Sequence, residues 1–198
     1  ADPELFLTRE WLLTNGLGGY ASGTISGILT RRYHGLLIAS LPAPLGRIVM
    51  LSQIAEVLRF PDGEVVQING GKGMESAREL PAATYLTAFR LENGLPVWTY
   101  EVKGIHLEKR ALMVHMQNTV HVTYDALSGP GPVRLELRPL IYFRSHSAPV
   151  SDGFHQEAYQ LTIIGERYEI SASPDFPPLR LLLESADGAF SVNRETVQ

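Results

Sequence analysis

The segment EWLLTNGLGGYASGTISGILTRRYHGLLIA, residues 10–39, places two apolar stretches around a glycine-rich turn and a basic–aromatic run. Gly16, Gly18 and Gly19 permit positive φ and a close approach of backbones that side chains would prevent. The apolar residues on both sides are typical of strands. The segment therefore predicts strands joined by a tight β-turn.

The same glycines do not predict a nucleotide-binding loop. A dinucleotide fingerprint would need a glycine at the position of Ala21, and it would need a helix after the turn. Residues 20–28 have the pattern of a strand instead. The turn is therefore interpreted as part of a β-sheet.

The basic–aromatic run Arg31–Gly35 carries the densest chemistry of the chain. A guanidinium can hold sugar hydroxyls or a carboxylate, a tyrosine ring offers a stacking face, and a histidine can titrate near neutral pH. The same side chains could instead cap a turn and pin a loop onto the sheet, and both interpretations stay open. Strand alternation predicts Tyr33 on one face, with Arg32 and His34 on the other.

A second candidate segment begins at Arg138. Pro139 follows an alternating strand and cannot donate to a sheet ladder, so it predicts an edge or a bend. Arg144 and His146 are then expected on a loop, where binding groups tend to collect. A solvated loop without a binding role stays the alternative. The candidate residues for substrate binding or an interdomain interface are Asn15, Tyr20, Arg31, Arg32, Tyr33, His34, Arg144 and His146.

Composition argues against several classes of function. The chain has 198 residues, of which 44% are apolar and 19% charged, as is typical of a globular protein. A net charge of −4 gives no electrostatic basis for binding nucleic acid or an anionic membrane. The lack of cysteine suits a cytoplasmic protein. No apolar run approaches the roughly 20 residues that span a bilayer, and no signal peptide is recognisable, so Ala1–Pro3 is interpreted as a processed boundary.

Period-two patterns predict an all-β, antiparallel fold. Trp98, Tyr100 and Val102 alternate with polar neighbours, and the same pattern recurs at residues 119–124 and 133–138. Each pattern indicates a strand with one buried and one solvated face. Many such strands in a chain of this length predict two packed sheets or a barrel.

Turns complete this prediction. Asn93–Gly94 and Ser128–Gly131 have the residues that turns require. The apolar phase flips at Gly104, which predicts a bulge or a sharp bend there. Helical signal is weak, with one or two turns expected at Met74–Leu80. Since neither a polar linker nor a repeat interrupts the pattern, we predict a single domain over residues 1–198.

The sequence predicts neither a metal site nor a catalytic pair. His115 and His121 flank a turn, but no third ligand follows at a suitable spacing. Glycoside hydrolysis usually needs two carboxylates set across a pocket, and no such pair stands out. We therefore expect no metal, no cofactor and no catalytic residue in this chain.

Three segments carry a resemblance to a known family. Residues 10–38, 46–52 and 138–146 together resemble the N-terminal domain of prokaryotic-type glycogen debranching enzymes, the amylo-α-1,6-glucosidases. The resemblance implies a large β-sandwich, the supersandwich of galactose mutarotases and of the N-terminal domains of bacterial glucoamylases. It also implies that the chemistry, hydrolysis of α-1,6-glucosidic branch points with carboxylates as acid and base, belongs to a following (α/α)6 barrel.

The resemblance further implies a companion role for this chain. The barrel is expected to lie outside residues 1–198, so the chain alone is expected to be inactive. Its expected partners are the C-terminal barrel and, through the parent enzyme, glycogen or maltodextrin. We expect Asn15–Tyr20 and Arg31–His34 to lie together on one exposed face that meets the barrel.

Two other functions stay open. A free-standing glucan-binding module would need an exposed aromatic platform, whereas the alternation places Trp98 on a buried face. An aldose mutarotase-like enzyme would need a histidine beside a carboxylate in a cleft, for example His34 or His121 with a glutamate from a neighbouring strand.

Overall fold

The computed structural model describes residues 3–69, 84–149 and 159–192. The chain forms two compact units, residues 1–150 and 151–198. Whether the chain acts as a single domain stays a prediction. The helical turn expected at Met74–Leu80 lies outside the described residues.

The described strands form three antiparallel sheets. In the first unit, a six-stranded sheet has the order β1-β2-β3-β4-β10 with β5 beside β4, and a four-stranded sheet has the order β6-β7-β8-β9. The second unit contains the sheet β11-β12-β13. A short helix that the sequence did not predict precedes β1. The bounds are α1 Pro3–Thr8, β1 Glu10–Thr14, β2 Tyr20–Thr24, β3 Gly35–Ser40, β4 Arg47–Arg59, β5 Val65–Gln67, β6 Leu86–Glu92, β7 Leu95–Val102, β8 Ile105–Met113, β9 Val120–Ser128, β10 Arg134–Ser145, β11 Gln160–Ile164, β12 Arg167–Ser171 and β13 Leu179–Leu181.

Two tight hairpin turns set the register of the four-stranded sheet. Asn93 and Gly94 join β6 to β7 with φ of 51° and 83°, and Lys103 and Gly104 join β7 to β8 with φ of 51° and 78°. Positive φ at both central residues matches the right-handed twist of the flanking strands. The turn predicted at Asn93–Gly94 is confirmed, and the phase flip at Gly104 marks a hairpin turn.

The two sheets of the first unit pack face to face through their tryptophans. Trp11 of β1 lies edge-on to Trp98 of β7, with 5.3 Å between ring centroids. The indole of Trp98 also donates a 2.9 Å hydrogen bond to the carbonyl of Ile25, which follows β2. Trp98, Tyr100 and Val102 are all buried, as their alternation predicts. The predicted antiparallel β-sandwich is confirmed.

A buried ion pair also joins the two sheets. The side chain of Glu56 on β4 is fully buried, and its Oε1 atom lies 2.6 Å from Nζ of Lys109 on β8. The hydroxyl of Tyr124 on β9 donates a hydrogen bond to the same oxygen. Burial raises the pKa of Tyr124 well above its ordinary value, and the negative charge of Glu56 adds to this effect.

Asn15 braces three loops of the sandwich. Its side-chain amide donates to the carbonyl of Gln117 at 2.8 Å and to Oδ1 of Asn118 at 3.0 Å. Asn118 in turn bonds both backbone groups of Ser40, at the end of β3. Asn15 has no exposed surface. The expectation that it lies on an exposed face is therefore wrong, because its amide turns inward to bond Gln117 and Asn118.

Candidate functional site

The end of β10 places two of the candidate residues. β10 is the last strand in the described order of its sheet, so the edge predicted from Pro139 is confirmed. Its register with β4 shifts after Leu140 and again before Arg144, and pairing then continues to Ser145. Arg144 therefore lies within the strand and not on the expected loop, because the irregular register lets the strand run past the proline. His146 follows in the turn after β10.

An open groove of about 440 Å³ crosses β1 and β2 on the face opposite the sandwich core. Glu10, Leu12 and Thr14 of β1 alternate with the buried Trp11 and Leu13, so the alternation turns the first three outward. Four candidate residues line this β1–β2 groove. These are Tyr20, Arg31, Tyr33 and His34.

One end of the groove is an ion-paired corner. The guanidinium of Arg31 pairs with Glu10. His34 lies beneath them with its Nε2 atom 3.4 Å from Oε1 of Glu10, and its Nδ1 atom accepts a 3.2 Å hydrogen bond from the backbone N–H of Thr30. The hydrogen bond with Arg31 holds the pKa of Glu10 below its ordinary value.

The structure corrects the face predicted for His34. The alternation grouped Arg32 with His34, but residues 31–33 form a turn in which the N–H of His34 donates to the carbonyl of Arg31 at 3.0 Å. The turn leaves Arg32 and Tyr33 exposed and buries His34, which is only 2% exposed. A period of two does not apply where the chain is not extended.

We predict that acid destabilises the chain through His34 and His146. Burial lowers the pKa of His34 below 6.5, although the charge of Glu10 opposes this effect, and burial also lowers the pKa of His146. The unfolded chain takes up these protons near pH 6.5 and the folded chain only at lower pH, so the stability that the two histidines contribute is complete above that pH and falls below it. Each histidine adds a slope of up to about 1.4 kcal/mol per pH unit.

Urea unfolding at pH 7.5, 6.5 and 5.5 measures this slope. The variant His34→Gln/His146→Gln should have a flatter profile than the parent sequence over this range. An equal slope in the two proteins would contradict the prediction. The hydrogen bond with Arg31 lowers the pKa of Glu10, so this neighbouring carboxylate titrates further below the pH range of the experiment.

Next to the groove lies a buried arginine without a carboxylate partner in the described residues. Arg144 is 3% exposed. Its Nη2 atom donates to the carbonyl of Arg32 at 2.5 Å, and Nη1 donates at 3.2 Å to the carbonyls of Ser145 and Ala148. Burial lowers the pKa of Arg144 from its ordinary value. Four carbonyl contacts, the fourth to His146 at 3.5 Å, therefore hold this cation in place.

Three aromatic rings lie close to one another in the same region. The ring of His146 lies 6.0 Å from that of Tyr33 and 6.5 Å from that of Tyr20. The guanidinium of Arg32 lies over the Tyr33 ring, 4.8 Å from its centroid, and bonds its hydroxyl at 2.5 Å. Burial lowers the pKa of His146, and the charges of Arg47, Arg144 and Arg32 act in the same direction. We call this group the cationic cluster, and its members are Tyr20, Arg32, Tyr33, Arg47, Arg144 and His146.

The structure thus brings seven of the eight candidate residues to one region. Five belong to the cationic cluster, Arg31 and His34 form the adjoining ion-paired corner, and Asn15 is separate. Sequence reasoning missed Glu10 and Arg47. Arg47 follows a glycine and opens β4, and its Nε atom bonds the carbonyl of Gly18 at 2.6 Å. The glycine turn and Arg47 are therefore joined in space by a contact that no local pattern indicates.

The described residues contain no group of three His, Asp or Glu side chains that could hold a metal ion. His115 and His121 accordingly do not belong to such a group. In the parts of the chain that the structure describes, no helix has the length and apolar character that crossing a membrane requires.

The fold and the groove define an antiparallel β-sandwich with a cationic, aromatic surface site. The family described as "Glycogen debranching enzyme N terminal" matches residues 9–198, so the chain belongs to this family. The resemblance found from the three segments is thereby confirmed. No curated protein and no solved structure matches the chain.

Proposed function

We propose that the chain is the non-catalytic N-terminal domain of a glycogen debranching enzyme, packing on a C-terminal catalytic barrel and helping to shape its glucan cleft. The barrel would hydrolyse α-1,6-glucosidic branch points of glycogen or maltodextrin. We place the enzyme in the cytoplasm as part of this proposal, since a cysteine-free chain suits a reducing compartment. The family membership supports the assignment to a debranching enzyme.

The surface around the groove supports a contact with another domain. Leu12 is 61% exposed, and Leu17 and Tyr33 are each about 40% exposed. Leu12 and Tyr33 line the groove together with His34, and the buried Arg144 donates to the carbonyl of Arg32 in the adjoining turn. A partner surface would cover these exposed apolar groups, and Arg and Tyr, which also line the groove, are enriched at interfaces. This combination is the observation that carries the proposal.

The carboxylates of the groove support a non-catalytic role. Glycoside hydrolases place two carboxylates roughly 5–10 Å apart across the bond that they cleave. Among the described residues, Glu10 is the one carboxylate that lines the groove, and Arg31 already pairs with it. A lone, ion-paired carboxylate cannot supply both the acid and the nucleophile or base.

A specific contact favours one alternative function. His34 and Glu10 meet in the groove, as an aldose mutarotase-like enzyme would require. Burial of His34 and the ion pair of Glu10 with Arg31 oppose this role, since neither group is free to exchange a proton with a sugar. For a glucan-binding module, the tryptophans offer no platform, because Trp11 and Trp98 are both buried.

We predict that the 198-residue chain releases no glucose from limit dextrin and does not accelerate the mutarotation of α-D-glucose. The full-length parent should release glucose, and deletion of residues 1–198 should lower its thermal stability. Glucose release and polarimetry measure the two activities. Activity of the isolated chain that Glu10→Gln abolishes would contradict the proposal and would identify a catalytic site in this groove.

A further inference from the structure

Most of the described lysines and arginines pair with a carboxylate, and most of those that do not pair lie close together. Of the fourteen Lys and Arg residues that the structure describes, nine pair with a described carboxylate. The other five are Arg9, Arg32, Arg47, Arg134 and Arg144. Three of these belong to the cationic cluster. Within the described residues of this chain, whose net charge is −4, the arginines without a carboxylate partner are therefore concentrated at one site.

The cluster also contains polar atoms without partners. Four buried side-chain atoms of the described residues lack a hydrogen bond, and two of them are Nε of Arg144 and Nδ1 of His146. Nε2 of His34, in the adjoining corner, is not a further open position, since it lies 3.4 Å from Oε1 of Glu10. Burial of an unpaired guanidinium is costly unless a counter-charge offsets it. Among the described residues, four carbonyl contacts hold Arg144, but no carboxylate pairs with it.

We propose that the cationic cluster receives a carboxylate, the side chain of an Asp or Glu on the catalytic domain. This inference rests on the proposed function. The planar guanidinium groups match carboxylate geometry and form strong charge-assisted hydrogen bonds. Tyr33 of the cluster and Leu12 of the groove are both exposed, which favours a protein surface over a small free anion that would leave them uncovered. Shape and charge thus select an acidic, partly apolar patch as the partner.

A carboxylate probe tests the chemistry of the site. The 198-residue chain is titrated with N-acetylglutamate N-methylamide, with the glutamine analogue as the neutral control, while NMR follows His146 and Tyr33. We expect the acidic probe alone to shift these resonances and to raise the pKa of His146. Arg47→Gln should weaken binding of the acidic probe about fivefold, which is the effect expected when an exposed ion pair is lost. Arg134→Gln removes an arginine outside the cluster that likewise pairs with no described carboxylate, and it should leave binding of the acidic probe unchanged.

Three results of this titration would overturn the proposal. They are no response to the acidic probe, an equal response to both probes, and equal weakening by Arg47→Gln and Arg134→Gln. A shift that maltotriose causes and the acidic probe does not would also overturn it, in favour of a sugar site.

The same variants, made in the full-length parent, test whether the catalytic domain supplies the carboxylate. Arg32→Gln and Arg47→Gln should each lower the melting temperature of the parent by roughly 2–4 °C, and Arg134→Gln should not. In the isolated chain the three variants should differ little. Equal effects of all three in the parent would overturn this inference and leave the proposed function intact. If deletion of residues 1–198 leaves the stability of the parent unchanged, the proposed function itself fails.

Discussion

Replacement of Lys109 by Met is expected to lower the free energy of unfolding by about 3–5 kcal/mol, because it leaves a buried carboxylate without its counter-charge. Glu56 is fully buried, and Lys109 is 8% exposed. The ammonium group lies 2.6 Å from Oε1 of Glu56 and 5.1 Å from the centroid of the Trp98 ring. Methionine fills most of the same volume, so the loss is electrostatic. Urea unfolding at pH 7.5 measures it.

Two further variants separate burial from simple loss of a salt bridge. Lys103→Met removes a lysine that pairs with Asp62 and Glu64 at the surface, where the expected cost is below about 1 kcal/mol. The double variant Lys109→Met/Glu56→Leu removes both buried charges and should recover much of the loss. A cost of Lys109→Met no larger than that of Lys103→Met would show that the pair does not behave as a buried one.

Strand alternation and turn chemistry predicted most of the first unit. The side-chain period of two placed Trp98, Tyr100 and Val102 in the core, and the Asn-Gly pair at 93–94 located a hairpin. These features are local, since each depends on the pleat of one strand or the φ angles of one turn. They could therefore be predicted from the sequence.

The contacts that join distant strands could not be predicted in the same way. Lys109 shares the inward parity of Leu107 and Ala111, so its burial had a sequence signal. Its partner Glu56 lies on the other sheet, and no periodicity relates the two positions. The irregular register of β10 likewise places Arg144 in a strand, whereas the sequence had predicted a loop. Long-range pairs and bulges depend on how the sheets pack.

In the candidate site, too, the local features were predicted from the sequence and the long-range contacts were not. The chemistry of Arg32, Tyr33 and His146 was visible in the sequence, and the structure places these side chains together. Asn15 was selected for its position beside the glycines, but its amide bonds the neighbouring loop at Gln117 and Asn118. The residue types predicted which side chains could bind a ligand. Which of these side chains face the groove depends on how the fold buries each of them.

Replacement of Trp98 by Ala is expected to cost about 3–5 kcal/mol, the range for deletion of a buried aromatic side chain. Trp98 is 3% exposed and lies edge-on to Trp11 and Phe89, at centroid distances of 5.3 and 5.4 Å. Its loss would open a cavity between the two sheets and leave the carbonyl of Ile25 without its indole donor. Urea unfolding followed by far-UV circular dichroism measures the effect.

The substitution Trp98→Phe separates packing from hydrogen bonding. Phenylalanine retains much of the ring but cannot donate to Ile25, so an intermediate cost of about 1–3 kcal/mol is expected. Leu91→Ala is the matched control on the same sheet, because Leu91 is 61% exposed and its truncation should change stability by less than about 0.5 kcal/mol. If Trp98→Ala cost no more than Leu91→Ala, the two sheets could not depend on this indole for their packing. A cost of Trp98→Phe equal to that of Trp98→Ala would instead assign the whole effect to the bond with Ile25, since both variants lack it.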